Sequence, residues 1–341
     1  MKPIRTLSLS GIAALMASTA FGQTLTINSF GGAYEDAHRK CIITPFEEAT
    51  GATVQVVTAY SADGFAQLRA QAAAPQFDVV HFSGGQEIVA AAEGLLTPID
   101  PTSLSNAADL VEAARPNLEG GEGPAYSVVP LGLVYNSEVL DTPANWADLI
   151  NPEFYENMVL TDMSNSYGMQ GFLMLNQVVG GSLDDIQPGL DAVAAMLDGG
   201  AVVVSTSPEI MQEFAQNDAW IAPYSSDYAF VLRDAGLPVG FAQGGEGTPA
   251  LYITANLVAG RDNQELALQL IDRSISPEAQ VCFAEEMRYA PTNVNAELSG
   301  EVADDTPYGE EALSGLIRFD PQVIEAMRSD WVDAWNRTIA R

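Results

Sequence analysis

The sequence predicts an α/β protein of two lobes joined by hinge strands, and three observations predict it. Short β-branched runs alternate with helical patterns along almost the whole chain, the order expected of a parallel α/β sheet. The roughly 319 residues that follow an N-terminal leader exceed what one core usually holds, in a chain that is 47% hydrophobic. Two long extended segments, Tyr126–Asn136 and Ala250–Val258, each follow a similar glycine-rich turn, Gly120–Pro124 and Gly244–Pro249. With proline or glycine in or beside them, they suit crossings between lobes better than sheet centres.

Residues 1–22 read as a secretory signal. Lys2 and Arg5 give a basic start, Leu7–Phe21 is apolar and small, and Ala20-Phe21-Gly22 is a small-x-small cleavage pattern. No later stretch approaches ~18 apolar residues, so a soluble secreted protein is expected. No cysteine follows the cleavage region closely, which argues against a lipoprotein. Losing Lys2 and Arg5 takes the formal charge from −31 to −33, with the acidic residues scattered rather than blocked. Nucleic acid and anionic lipid are poor partners for such a surface.

In chain order, Thr24–Ile27 is a strand that Gly31-Gly32 turns into a helix carrying Tyr34, with free backbone N–H groups near Ser29 and Phe30. A helical pattern at Ile42–Thr50 stops at Gly51, and Val54–Val57 is the next strand. Gly64–Ala73 is a helix and Phe77–Phe82 a buried strand. Ser83-Gly84-Gly85-Gln86 then hands over to the helix Glu87–Glu93, repeating the opening turn. Two such turns at the carboxyl ends of neighbouring parallel strands mark where open α/β sheets bind ligands. Beyond the first crossing come strands at Met158–Thr161, Ala201–Ser205 and Ala219–Pro223. Helices at Tyr167–Val179, Leu190–Leu197, Pro208–Asn217 and Asp227–Ala235 alternate with them. Helices at Gln264–Arg273 and Pro277–Met287 follow the second crossing, and Pro321–Ile339 is an amphipathic helix packed through Ile324, Met327, Trp331 and Trp335.

Catalytic constellations are sparse. His38 and His81 are the only two histidines, neither at metal-ligand spacing from a cysteine, and no phosphate-loop or nucleophile-elbow signature occurs. A ligand-binding cleft without a cofactor or a resident metal is therefore expected rather than a covalent hydrolase or a zinc enzyme. Ferric iron remains one alternative, resting on the spaced pair Tyr224 and Tyr228. A secreted enzyme on the same fold, using Asp162 or Asp227, is the other. Cys41 and Cys282 form either one disulfide or two buried thiols.

The chain resembles the periplasmic solute-binding proteins of ABC importers, in the spermidine/putrescine-type family. The resemblance is carried by Asn28-Ser-Phe-Gly-Gly-Ala-Tyr34, Pro45-Phe-Glu-Glu-Ala-Thr-Gly51, Phe77-Asp-Val-Val80, Leu95-Leu-Thr-Pro-Ile-Asp100 and Val129-Pro130 with Val134-Tyr-Asn136. Trp146-Ala-Asp-Leu149, Pro152-Glu-Phe-Tyr155 and Tyr289-Ala-Pro-Thr-Asn293 continue it in the family's order. It implies a two-lobed periplasmic binding protein of type II that closes on a solute and docks, as a monomer, onto an inner-membrane ABC permease. The expected lobes are 23–129 with 250–300, and 130–249 with 301–341. Phe30 falls where relatives carry a tryptophan, and Tyr34, Ser83, Tyr224 and Tyr289 match family positions.

The expected ligand-binding set is Ser29, Phe30, Gly31, Tyr34, Ser83, Gly84, Gln86, Asp162, Ser166, Tyr167, Tyr224, Asp227, Tyr252 and Tyr289. Polyamine-binding relatives place more carboxylates after the Leu160-Thr-Asp162 strand and at the second crossing. Here Met163, Ser164, Asn165 and Ser166 follow Asp162, and the crossing reads Leu251-Tyr-Ile-Thr254. A small polyamine-like or amine-bearing acidic solute fits what remains. Asp162 and Asp227 would hold an amine and the two Gly-Gly helix starts a carboxylate.

Overall fold

The computed structural model describes residues 23–340, so the expected signal at 1–22 lies outside the described residues. Ten strands run among them: β1 (Thr24–Ser29), β2 (Thr53–Thr58), β3 (Val79–Phe82), β4 (Ala125–Asn136), β5 (Val159–Thr161), β6 (Val202–Val204), β7 (Ile221–Ser225), β8 (Val239–Ala242), β9 (Ala250–Leu257) and β10 (Ala290–Pro291). The main sheet has the order β10-β4-β9-β3-β1-β2, with β7 and β8 also on β4, and β5 pairs with β6. β1 is parallel to both β2 and β3, as the repeated strand–turn–helix pattern requires.

β4 joins the two halves of the molecule. Its residues up to Pro130 pair with β9, and from Leu131 onward it pairs with β7 and β8. Proline has no N–H to give a ladder, and Pro130 stands where β4 changes partners. Gly132 comes next but one: a Cβ there would lie 2.3 Å from the Ala242 carbonyl oxygen. Any side chain at that position would push β8 away. The crossings are thus also sheet centres, contrary to expectation, because one strand serves two sheets in turn.

The second half is mixed rather than parallel. β5 and β6 are parallel, but β7 and β8 run antiparallel to β4. Alternation of strands and helices could not reveal this, since a crossing strand enters the second sheet in a direction set by the first. β8 and the two-residue β10 are not among the strands expected from the sequence patterns.

Packing divides along the same line. Leu25, Ile27, Val79, Tyr126, Ile253, Ile271 and Phe283 share one core, with Phe65, Phe77 and Phe82 in another cluster that also holds Val80 and Val258. Trp146, Leu160, Phe172, Met196 and Trp335 form the second core, and Ile210, Phe214 and Leu232 a satellite cluster. Leu313 and Leu316 pack into the first core, whereas Ile317 and Phe319 pack into the second. The last passage between halves therefore falls near Ile317, later than the expected 300/301. In the terminal helix Pro321–Ile339, Ile324, Trp331 and Trp335 are buried as expected, but Met327 is 36% exposed.

The disulfide is formed. Cys41–Cys282 ties the π-helical turn Arg39–Ile43 to the helix Pro277–Met287. Pro45 cannot donate to the carbonyl four residues earlier, that of Cys41. Arg273 Nη2 donates to this carbonyl instead, at 3.3 Å, next to the disulfide.

Beneath β1, His38 and His81 lie edge to face with centroids 4.8 Å apart, both almost fully buried. His81 Nδ1 donates to the Asn28 carbonyl at 3.0 Å. Burial pushes His81 down to about 4, and burial with the neighbouring His81 and Arg39 charges holds His38 well below its ordinary value. The unfolded chain binds protons here that the native state refuses, so stability is full above pH ~6.5 and falls as pH drops toward ~4. We expect a loss on the order of 3 kcal/mol by pH 4, measured by denaturant melts, and a flatter profile in His81→Gln.

Candidate functional site

The site is built from strand ends. β1 ends at Ser29, and Gly31 turns the chain with φ 73°, where a Cβ would meet Thr58 Cγ2 at 2.8 Å. This places Phe30 against Tyr34, ring centroids 4.7 Å apart, and flat on Tyr60 at 6.4 Å. Tyr34 continues the wall to Phe283 at 5.4 Å and Tyr289 at 6.2 Å, while its hydroxyl bonds that of Tyr126 inside the lobe. Ser29 does not join the wall. It is 0% exposed and its hydroxyl faces His38 Nδ1 at 3.4 Å, because alternation along β1 turns it into the core.

The facing wall comes from the end of β7 and the helix Ser226–Asp234 that follows. Tyr224 packs edge-on against Tyr167 at 5.1 Å and on Tyr228 at 5.4 Å, and Ser207 Oγ lies 2.6 Å from the Tyr224 hydroxyl. The two walls meet where the Tyr167 and Tyr289 hydroxyls stand 3.3 Å apart. Asp227, 1% exposed, sits among these rings in the first turn of its helix.

Asp227 is the unusual member. Neither carboxylate oxygen has a hydrogen-bond partner among the described residues. Burial pushes its pKa up to about 7, although the Ser225 and Tyr289 hydroxyls and nearby backbone amides pull the other way. Burial above all, with the Asp227 charge adding, holds the Tyr167, Tyr224, Tyr228 and Tyr289 hydroxyls above their ordinary range. These phenols stay neutral. A buried carboxylate without a counter-charge, ringed by neutral aromatic side chains, is the electrostatic complement of a single organic cation.

The remaining expected residues lie elsewhere or are otherwise engaged. Ser83 exchanges its hydroxyl and backbone N–H with Ser61 Oγ, both at 3.0 Å. A Cβ on Gly84 would lie 3.0 Å from Ser166 Oγ, so glycine there lets the two walls approach. The second Gly-Gly turn is covered by the terminal helix: Arg328 donates to the Gly84 carbonyl at 3.3 Å, and Gln86 Nε2 reaches Glu325 at 3.4 Å. That contact corrects its reading as an open anion site. Asp162 accepts from Ser164 N at 2.8 Å and from Trp335 Nε1 at 3.1 Å, so both oxygens are used within the second lobe. Tyr252 lies under the Arg318 guanidinium at 4.7 Å rather than among the cage rings.

Two cage residues were missed by sequence reading. Tyr60, 64% exposed, follows β2 at the same sheet edge as Phe30, and its position one strand over was the available signal. Tyr228 was legible only as half of a metal-binding pair. Among the described residues no three His, Cys, Asp or Glu side chains gather closely enough to hold a metal.

Two α/β halves, linked by shared strands and lined at their junction by aromatic and polar side chains, define a two-lobed solute receptor. Residues 42–308 match the model of the bacterial extracellular solute-binding protein family, and the chain belongs to it. It is 26% identical to the gamma-aminobutyric acid-binding protein of Pseudomonas aeruginosa, over 96% of this chain and 92% of that one. It is also 26% identical to the spermidine/putrescine-binding periplasmic protein of Salmonella typhimurium, over 62% of this chain and 63% of that protein. The periplasmic binding protein AgtB of A. tumefaciens R10, solved with agropinic acid, superposes with a TM-score of 0.74 at 21% identity, covering 94% of this chain and 99% of that one. The protein is accordingly a solute-binding component of an ABC transporter, in a family of periplasmic or extracellular proteins.

Proposed function

We propose that the mature protein, released into the periplasm by cleavage of the N-terminal signal, captures one small amine-bearing solute and delivers it to an inner-membrane permease without catalysis. The observation that carries this reading is the unpartnered Asp227 carboxylate beside Tyr167, Tyr224, Tyr228 and Tyr289, from which Tyr34, Phe30 and Tyr60 continue the aromatic wall. The family match and the relatives named for an ω-amino acid and for polyamines support it. In this reading the lobes are 23–129 with 250–316 and 130–249 with 317–340, a division supported by the packing of Leu316 in one core and Ile317 in the other. Closure is supported by ion pairs at the lobe junction, where Arg233 and Arg288 share Asp305, Arg233 at 3.0 Å and Arg288 at 3.5 Å. The protein acts as a monomer and does not bind nucleic acid, in keeping with its strong acidity.

The pH dependence of binding tests the reading. An ammonium ion binds the ionised form of Asp227, and that form is depleted below the raised pKa of about 7. Affinity should therefore rise as pH increases through 7, by up to ~100-fold between pH 5 and pH 8. Isothermal titration in buffers of different ionisation enthalpy should also register a proton released near pH 6.5. A pH-independent affinity would count against Asp227 as the cation partner.

The ring wall makes a separate prediction. Phe30→Ala and Tyr60→Ala should each weaken binding by ~5–10-fold, the range of one cation–π contact, with unchanged thermal midpoints since both rings are at least partly exposed. Tyr34→Ala should behave differently. Tyr34 is 6% exposed and belongs to the first core, so its loss should also destabilise the protein by ~3 kcal/mol.

A further inference from the structure

Four charged side chains face one another across the lobe junction, outside the tyrosine cage. Arg233 and Asp234 close the helix Ser226–Asp234, whose Ala229 and Leu232 pack in the satellite cluster of the second half. Arg288 lies between Met287 and Tyr289, both in the first core. Asp305 ends the helix Gly300–Asp305 and is tied to the same half, since Thr306 Oγ1 donates to the Arg288 carbonyl at 3.4 Å. Across the junction the Arg233 guanidinium donates to both oxygens of Asp305, Nη1 to Oδ1 at 3.0 Å, and Arg288 Nη2 stands 3.7 Å from Asp234 Oδ2. Within the first half Arg288 Nε faces Asp305 Oδ2 at 3.5 Å, so positive and negative groups alternate around the cluster.

Its place in the fold couples the cluster to both walls of the cage. Ser225 pairs with Leu131, the first residue of β4 beyond Pro130, so the helix Ser226–Asp234 starts at the hinge. Asp227 stands in its first turn and Arg233 six residues on, about 9 Å farther along the axis. Parting the lobes therefore moves Arg233 away from Asp305 by more than it moves groups beside the hinge. On the other wall Arg288 directly precedes Tyr289. Its φ of 55° is in the left-handed region that a non-glycine residue rarely adopts, and this turn sends Tyr289 to the cage and Arg288 to the two acids.

We propose that Asp305, with Arg233, Arg288 and Asp234, forms an electrostatic clasp that holds the lobes closed and makes closure sensitive to ionic strength. The proposal rests on the reading of the chain as a receptor whose lobes close, and not on the amine chemistry of its solute. The bidentate Arg233–Asp305 bond fixes one relative position of the halves. With the clasp made, the Asp305 and Arg288 side chains are 12% and 14% exposed; parted lobes would give all four charges to water and counter-ions. Salt stabilises the separated charges, so it favours the open form. Repulsion between the halves would act in the opposite sense. Both carry far more acidic than basic residues, and screening that repulsion would favour closure. The sign of the salt effect therefore separates the clasp from the general charge of the protein.

The test reads the interlobe distance in the full protein without solute. Spin labels on keto-bearing side chains at Glu48 and Ala195, exposed positions of the first and second halves, report it by pulsed electron resonance in about 20 mM and about 1 M NaCl. The closed-to-open ratio should fall ~5-fold or more from low to high salt, the range of one ion pair in a network. Asp305→Asn should show the lower ratio at both concentrations, and Arg233→Gln should act alike and add nothing to Asp305→Asn. Glu156→Gln, at an exposed acid outside the cluster, should keep the native response. A ratio that rises with salt, or one that Asp305→Asn leaves unchanged, would overturn the proposal. Should Asp305→Asn not fold, Arg233→Gln, at a side chain 39% exposed, decides in its place. A single distance in native protein and variants at both concentrations also overturns the clasp. In that case a shift on adding gamma-aminobutyrate or putrescine keeps the receptor reading, and no shift counts against both.

Discussion

Asp227→Asn is expected to weaken binding of the amine solute by ~100-fold, or about 3 kcal/mol, the usual penalty for removing one partner of a buried ion pair. The carboxylate is 1% exposed and makes no hydrogen bond among the described residues, so a solute ammonium would supply the counter-charge it lacks. Without solute, the variant should gain stability. A carboxyl raised to about 7 in the folded state contributes full stability below its unfolded pKa near 4, and that stability is lost as pH rises through 7. At pH 8 the free Asn variant should therefore exceed the native protein by a value on the order of 3 kcal/mol, with the two converging near pH 4. Opposite changes in affinity and free stability, measured by titration and by denaturant melts at both pH values, are the signature of a functional carboxylate. A loss of both would indicate a structural one.

Reduction of Cys41–Cys282, or its replacement by serines, is expected to lower stability by ~4 kcal/mol. The bond closes a loop with a sequence separation of 241, and the entropy that such a cross-link removes from the unfolded chain grows with loop length. Solute affinity should change little, because the pair joins Arg39–Ile43 to Pro277–Met287 behind the aromatic wall rather than within it. Equilibrium unfolding with and without reductant, followed by titration of the reduced protein, checks both parts. An unaltered unfolding midpoint would show that packing of Cys41 and Phe283 already holds the two helices together.

Much of the site was legible because its residues stand at strand ends. Phe30, Tyr167, Tyr224, Asp227 and Tyr289 were placed by local pattern and by resemblance, and the structure brings all five to one junction. Ser29 and Tyr252 depart from the expected grouping for one reason. Ser29 and Tyr252 sit on strands where a period of two sends neighbouring side chains to opposite faces, and the local sequence does not say which face meets the ligand. Asp162 looked available until Trp335, from the far end of the chain, took one of its oxygens.

The sequence by itself determined the order of most strands and helices, the glycine turns, the resemblance to a two-lobed binding protein and the strongly negative net charge. These follow from periodicities of 2 and 3.6 residues, turn chemistry and composition, all local properties. Only the tertiary structure decided that β4 serves two sheets, that the second sheet is mixed, that Tyr60 and Tyr228 lie with the other rings, and that Asp227 is buried without a hydrogen-bond partner among the described residues. Those outcomes depend on which distant segments meet. The donors and acceptors that satisfy Asp162 or fail to satisfy Asp227 come from residues that local pattern cannot bring together.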